Sequence, residues 1–132
     1  MNLQQQLQYL ANAMGWAVRT QYDGSAHVEV PTMPGRTQVV NVVPGYDAER
    51  EPIVFIWSPA CDWQATRDVW QLLRYATSLS YGSIALQDTH VIVKHSLRLA
   101  NADEVTLRKA IYYVGLAADQ LEAEAYGGMD RL

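Results

Sequence analysis

The chain has one cysteine, Cys61, among its 132 residues, and therefore cannot close an internal disulfide. Its apolar runs are too short to cross a bilayer, and its first residues lack the basic start and apolar centre of a secretory signal. No segment concentrates lysine and arginine, and the net charge is -4, so the sequence does not indicate a phosphate-binding surface. We therefore expect a cytoplasmic protein that binds neither membranes nor nucleic acid.

Residue patterns that would indicate catalysis or metal binding are also scarce. Cys61, His27, His90 and His95 show none of the spacings of a zinc site, and neither a Gly-x-Ser-x-Gly elbow nor a glycine-rich phosphate loop occurs. On a single strand, His90 and His95 point to opposite faces and cannot share a metal or a proton. We therefore expect no enzyme activity, metal or cofactor, and we interpret His95 as a partly buried structural side chain.

The chain does contain enough apolar material for a folded core. Apolar residues make up 49% of the sequence, with four Trp and eight Tyr. A chain of 132 residues has the usual length of one domain. We therefore expect a single domain over residues 1–132.

The first half of the sequence predicts a helix followed by a meander of strands. The apolar stripe of that helix consists of Leu3, Leu7, Leu10 and Met14, at helical spacing. Gly15 follows as its C-terminal cap, and turn signals at 23–24 and 33–35 separate the next strands. Residues 53–57 are all apolar, which predicts a central strand covered on both faces.

The middle of the sequence predicts a second helix and a hairpin. Asp62 is a good N-cap, and apolar residues keep helical spacing from Val69 to Leu79. The residues that follow predict two strands with a turn around 87–89. The second helix therefore precedes a β-hairpin in the chain.

The last predicted helix is long. It begins at Asp103, or at Asn101 with Glu104 as its capping-box partner, and ends at 127–128. Its apolar stripe consists of Leu107, Ile111, Val114, Ala118, Leu121 and Ala125. The predicted fold class is thus α+β, an antiparallel meander plus a hairpin packed by three helices in the order α-β-β-β-β-α-β-β-α.

Several segments together resemble the YbjN-like domains, which are similar in fold to the class I type III secretion chaperones. They are VEVPTMPGRTQVV (28–40), PIVFIWSPA (52–60), LLRYATSLSYGSIAL (72–86), VIVKHSLRLANAD (91–103) and AADQLEAE (117–124). The chain departs from the family at Ser80 and Glu104, where the family often has proline. The resemblance implies a sheet covered by helices on one side, homodimers, binding of extended peptides on the outside, and no enzyme activity.

Strand periodicity also predicts an interaction surface on the sheet. The valines of the second and sixth strands can face the helices, which places Ile92 on the other face, beside His90 and Lys94. The apolar strand 53–57 must likewise direct some apolar side chains away from the helices, either its odd or its even positions. In the last helix, the adjacent tyrosines cannot both lie on the core stripe. The candidate interaction surface consists of Ile92, Val54, Ile56, Tyr112 and Tyr113.

The function that these features favour is that of a non-enzymatic, chaperone-like module that binds a peptide or protein client. A homodimer is the expected assembly, and an extended peptide or protein is the expected client. The apolar strip on the sheet is expected either to join two copies of the chain or to receive the peptide. The alternative is a small-molecule-sensing or regulatory subunit without catalysis. The first function predicts an exposed apolar strip, whereas the second predicts an enclosed pocket with converging polar groups.

Overall fold

The computed structural model describes residues 2–65 and 68–127, which form one six-stranded antiparallel sheet and three α-helices. The helices are α1 (Leu3–Met14), α2 (Val69–Ala76) and α3 (Glu104–Glu122). The strands are β1 (Ala17–Thr20), β2 (Ala26–Met33), β3 (Arg36–Tyr46), β4 (Pro52–Asp62), β5 (Ser83–Gln87) and β6 (His90–Arg98). Their spatial order is β1-β2-β3-β4-β6-β5. The predicted α+β class and chain order are confirmed.

Short-range signals set the ends of α1 and α3. Asn2 and Gln5 form a reciprocal capping box at the start of α1, and Gly15 ends that helix in a left-handed conformation. Asp103, not Asn101, caps α3, because its carboxylate accepts a hydrogen bond from the Thr106 N–H at 2.8 Å. A π-helical turn over Ala123–Gly127 follows α3. The predicted helix end at 127–128 lies partly outside the described residues, since 128 is not among them.

The start of α2 differs from the sequence prediction. Asp62 does not cap the helix, because β4 continues through a bulge between Pro59 and Cys61 and still pairs Asp62 with His90. Asp68 is the cap instead, and its carboxylate accepts hydrogen bonds from the backbone N–H groups that begin the helix. The helix therefore has only 8 residues.

The core lies between α3 and one face of the sheet, which we call the inner face. Fully buried side chains on this face include Val54, Ile56 and Val93, and they meet the stripe of α3 that contains Ile111. The contact is close: a Cβ added at Gly115 would lie 3.0 Å from a methyl group of Val40 on β3. The inner face of the sheet is therefore in direct contact with the backbone of α3.

Hydrogen bonds of buried polar side chains stabilise this packing. Asp119 of α3 is 1% exposed, and its carboxylate accepts hydrogen bonds from the Thr32 hydroxyl at 2.8 Å and from Arg36 Nε at 2.9 Å. Ser58 is 0% exposed, and its hydroxyl donates a hydrogen bond to the Val39 carbonyl at 2.6 Å and accepts one from Gln38 Nε2 at 3.0 Å. Both groups are fully satisfied, so their role is structural.

The other two helices flank α3. α1 packs against β1 and α3, while α2 lies next to β5 and is linked to α3 by a hydrogen bond from the Tyr75 hydroxyl to Gln120 Oε1 at 2.7 Å. None of the helices in the described part of the chain combines the length and apolar character that a membrane span requires.

The structure corrects one prediction about β4. This strand is central, since it pairs with β3 and with β6, but it is not covered on both faces. Its even-numbered residues 54–58 are buried beneath α3, whereas its odd-numbered residues 53–59 remain half-buried on the opposite face. We call that opposite face of the sheet the outer face.

Candidate functional site: the outer face of the sheet

A row of partly exposed apolar side chains runs along the outer face. We call it the outer strip, and its partly exposed members are Val43, Ile53, Phe55, Trp57 and Pro59, with the buried Ile92 beside Pro59. The strand register brings these residues together, because Phe55 lies opposite Val43 of β3 and Pro59 lies opposite Ile92 of β6. Their alternation along β4 spaces successive side chains by about 7 Å, since a strand rises about 3.4 Å per residue.

Phe55 lies at the centre of the outer strip, and its ring packs over Gly45 of β3. A Cβ added at Gly45 would be 2.7 Å from Cε2 of Phe55, so the ring occupies the space that a side chain at 45 would need. The Lys94 ammonium lies 4.6 Å from the centroid of the same ring. The ring thus contacts both Gly45 and Lys94 and stays half-buried.

The border of the outer strip is polar and carries charges of both signs. Lys94, Ser96 and Arg98 alternate along β6, and the Arg98 guanidinium forms an ion pair with Glu51, with Nε 2.6 Å from the carboxylate oxygen. On the β2 side, Glu29 is exposed. An apolar centre with a polar border is typical of a surface that binds another molecule.

The structure corrects two residues of the predicted surface and qualifies a third. Val54 and Ile56 are 0% exposed on the inner face, because the register of β4 directs its even positions towards α3. Ile92 does lie on the outer face, but it is 3% exposed, with Pro59 and Ala85 as its two cross-strand neighbours. The accessible part of the outer strip is therefore formed by the odd residues of β4.

The two candidate tyrosines lie elsewhere, on α3. Tyr113 is 44% exposed and stacks on Tyr81, with ring centroids 5.6 Å apart and an angle of 14° between the planes. Tyr112 is half-buried and contacts Tyr113 edge-on at 5.1 Å. The structure therefore does not bring them together with Ile92. Tyr113 borders a cleft between α2 and α3.

A second exposed apolar surface lies on α2. Val69, Trp70 and Leu73 are 62%, 72% and 53% exposed, and we call these three residues the α2 patch. Leu72 and Tyr75 occupy the other side of the helix and pack against the core. The α2 helix of 8 residues thus has apolar side chains on both sides, and its own chain buries only one of them.

The histidines lie where strand periodicity predicts. His90 is exposed on the outer face, with Nε2 at 3.4 Å from Asp62 Oδ1. His95 is half-buried on the inner face, and its Nδ1 accepts a hydrogen bond from the Gly82 N–H at 3.1 Å. Burial lowers the pKa of His95, so its neutral form is favoured. Within residues 2–65 and 68–127, no three histidine, cysteine or carboxylate side chains converge as metal ligands would.

Sequence reasoning did not identify the α2 patch, because it used Val69 and Leu73 only as members of one apolar series at helical spacing. A signal for it is present in the sequence. Apolar residues at positions 69, 70, 72, 73 and 76 surround more of the helix than one buried face requires. The cleft beside Tyr113 had no comparable signal, since it depends on the path of the loop between α2 and β5.

The comparisons with known proteins bear on the fold. No protein-family model and no curated protein sequence matches the chain. Among solved structures, the chain is similar to one in the HopA1–SchA chaperone–effector complex, with a TM-score of 0.64, 10% identity, and coverage of 90% of this chain and 91% of that chain. It is also similar to the Yersinia pestis type III secretion chaperone SycH in complex with a stable fragment of YscM2, with a TM-score of 0.60, 17% identity, and coverage of 89% and 97%. The chain therefore has the fold of the type III secretion chaperones.

Proposed function

We propose that this protein is a non-enzymatic, chaperone-like module that holds an extended segment of a protein client against the outer strip. The observation that carries the proposal is the half-exposed apolar row on β4, the central strand of the sheet. The similarity of the fold to SchA and SycH supports it, because both were solved in complex with a protein partner. We propose as well that the protein is cytoplasmic, that it consists of one domain, and that it belongs to the YbjN-like family.

The spacing of the outer strip suits an extended polypeptide. Side chains of an extended segment repeat on one side every two residues, about 7 Å apart, which is the spacing of Ile53, Phe55 and Trp57 on β4. The ring of Phe55 already packs against Gly45 and Lys94 in the unbound chain, so less conformational freedom is lost there on binding than for a fully exposed side chain. The charged border can then pair with polar groups of the client.

We also propose that the protein is a homodimer joined through the α2 patch. Trp70 is 72% exposed, and a large aromatic residue at the centre of an apolar patch is typical of a subunit interface. In a two-fold symmetric dimer the two patches can pack against each other, which buries the exposed apolar side of both α2 helices. The outer strip then remains available for the client, since the patch and the strip lie on different elements.

Site-specific photo-crosslinking tests the client surface. The photoreactive residue p-benzoylphenylalanine replaces Trp57 in one variant and, as the control, the fully exposed Tyr22 of the β1–β2 turn in another. We expect a discrete protein adduct in cells from position 57 and none of the same mass from position 22. Equal adducts from both positions, or none from position 57, would contradict the proposal.

A further inference from the structure

The cleft between α2 and α3 has the size and chemistry of a small-molecule site. Its volume is about 450 Å³, within the range of roughly 300–1,000 Å³ that is usual for ligand pockets. One wall is a stripe of α3, and the other is the end of α2 with the loop that follows it. The lining residues are Tyr75, Ser78, Leu79, Ser80, Tyr81, Lys109, Tyr113, Leu116, Ala117 and Gln120.

Among the residues that the structure describes, Lys109 is the only charged one that lines the cleft. Among residues 2–65 and 68–127 it has neither an ion-pair partner nor a hydrogen-bond partner, although the protein carries a net charge of -4. Its position four residues before Tyr113 places both side chains on the same side of α3. An unpaired cation in a partly apolar cleft favours a ligand with one negative charge.

The aromatic wall indicates the rest of the ligand. Tyr81 and Tyr113 form a nearly parallel stack, and Tyr113 keeps 44% of its surface exposed. Planar rings bind such surfaces by offset stacking. In the described part of the chain neither of these two hydroxyls has a hydrogen-bond partner, so both remain available to a ligand, whereas the Tyr75 hydroxyl is engaged by Gln120. Burial and the Glu124 carboxylate raise the pKa of Tyr75, which keeps that hydroxyl a donor.

We propose that this cleft binds a small aromatic carboxylate, with the carboxylate at Lys109 and the ring against Tyr113. The site lies on the helical side of the sheet and is separate from the outer strip, so it goes beyond the client-binding function and does not depend on it. A bound ligand would contact both α2 and α3. It would therefore strengthen the attachment of α2, whose side-chain polar link to α3 in the described residues is the bond between Tyr75 and Gln120.

The test is a titration of the full chain with 4-hydroxybenzoate, followed by amide chemical shifts. We expect a dissociation constant of about 1 mM or lower, as for other ligands with about ten non-hydrogen atoms, and shifts that map to 78–81 and to α3 around Tyr113. The neutral analogue 4-hydroxybenzamide should bind at least about tenfold more weakly, because it cannot pair with the ammonium.

Two variants with matched chemistry localise the site. Lys109→Met should weaken 4-hydroxybenzoate at least about tenfold, while Lys94→Met, which removes a cation from the outer face, should leave it unchanged. Several results would overturn the proposal: no binding at about 10 mM probe, equal affinity for acid and amide, or equal effects of the two variants. Binding of an acetylated Asp-Tyr amide at these residues without binding of 4-hydroxybenzoate would also overturn it, in favour of a peptide.

Discussion

His95 connects the sheet to the loop that shapes the cleft. Its Nδ1 accepts a hydrogen bond from the Gly82 N–H, and Tyr81 contacts the imidazole edge-on at 5.7 Å. Gly82 has a φ of +95°, and a Cβ there would lie 2.9 Å from Val93 Cγ1, so the loop reaches His95 only because residue 82 is glycine. The bond requires the neutral imidazole, with its proton on Nε2.

The stability of the protein should therefore fall as the pH falls below about 6.5, the usual pKa of histidine. Burial lowers the pKa of His95 in the folded state, so the unfolded chain binds the proton at a higher pH. Acidification therefore stabilises the unfolded state relative to the folded state. His95→Gln should remove this dependence and cost about 1 kcal/mol at neutral pH. Urea unfolding between pH 5 and 8 measures both effects.

The exposed histidine of the same strand provides the control for this measurement. His90→Gln should change stability by less than about 0.5 kcal/mol and should leave the pH dependence intact, because His90 lies exposed on the outer face. The structural role of His95 would be refuted if both variants showed the wild-type slope. A loss of the slope in His90→Gln alone would refute it as well.

At the scale of elements, successive residues of β4 alternate between the core and the outer strip. Ile56 is 0% exposed beneath α3, and the next residue, Trp57, is half-buried on the outer face. Ile56→Asp should leave the chain unfolded, because it buries a charge that has no partner. Trp57→Asp should cost only roughly 1–2 kcal/mol and leave a folded protein. Circular dichroism during thermal unfolding distinguishes the two variants, and equal losses would mean that the outer strip is core.

Much of the architecture follows from neighbouring residues in the sequence, and the exceptions depend on tertiary pairing. The cap at Gly15 and the two faces of β6 are local features, so spacing alone predicts them. The start of α2 is not local, because Asp62 is drawn into β4 by its pairing with His90 across a bulge. The even positions of β4 could not be assigned to a face either, since all five residues 53–57 are apolar and only the register decides.

At the scale of the whole molecule, assembly should depend on the α2 patch. Trp70→Glu should raise the dissociation constant of the proposed dimer at least about 30-fold, because it places a charge at the centre of the interface. Tyr22→Glu is the control, since Tyr22 is fully exposed in a turn away from α2. Light scattering over a range of protein concentrations measures the effect. A wild-type protein that stays monomeric throughout would contradict the proposal, as would a Trp70→Glu variant that stays dimeric.

The central claim, that the outer strip holds an extended client segment, is tested most directly by equilibrium binding. The measurement uses a fluorescent peptide with the sequence of the client segment crosslinked from position 57, titrated with wild-type protein and with three variants. We predict that Trp57→Asp weakens binding at least about tenfold, while Tyr22→Asp and Trp70→Glu leave it within about twofold of wild type. Unchanged affinity in Trp57→Asp, or a loss confined to Trp70→Glu, would contradict the claim.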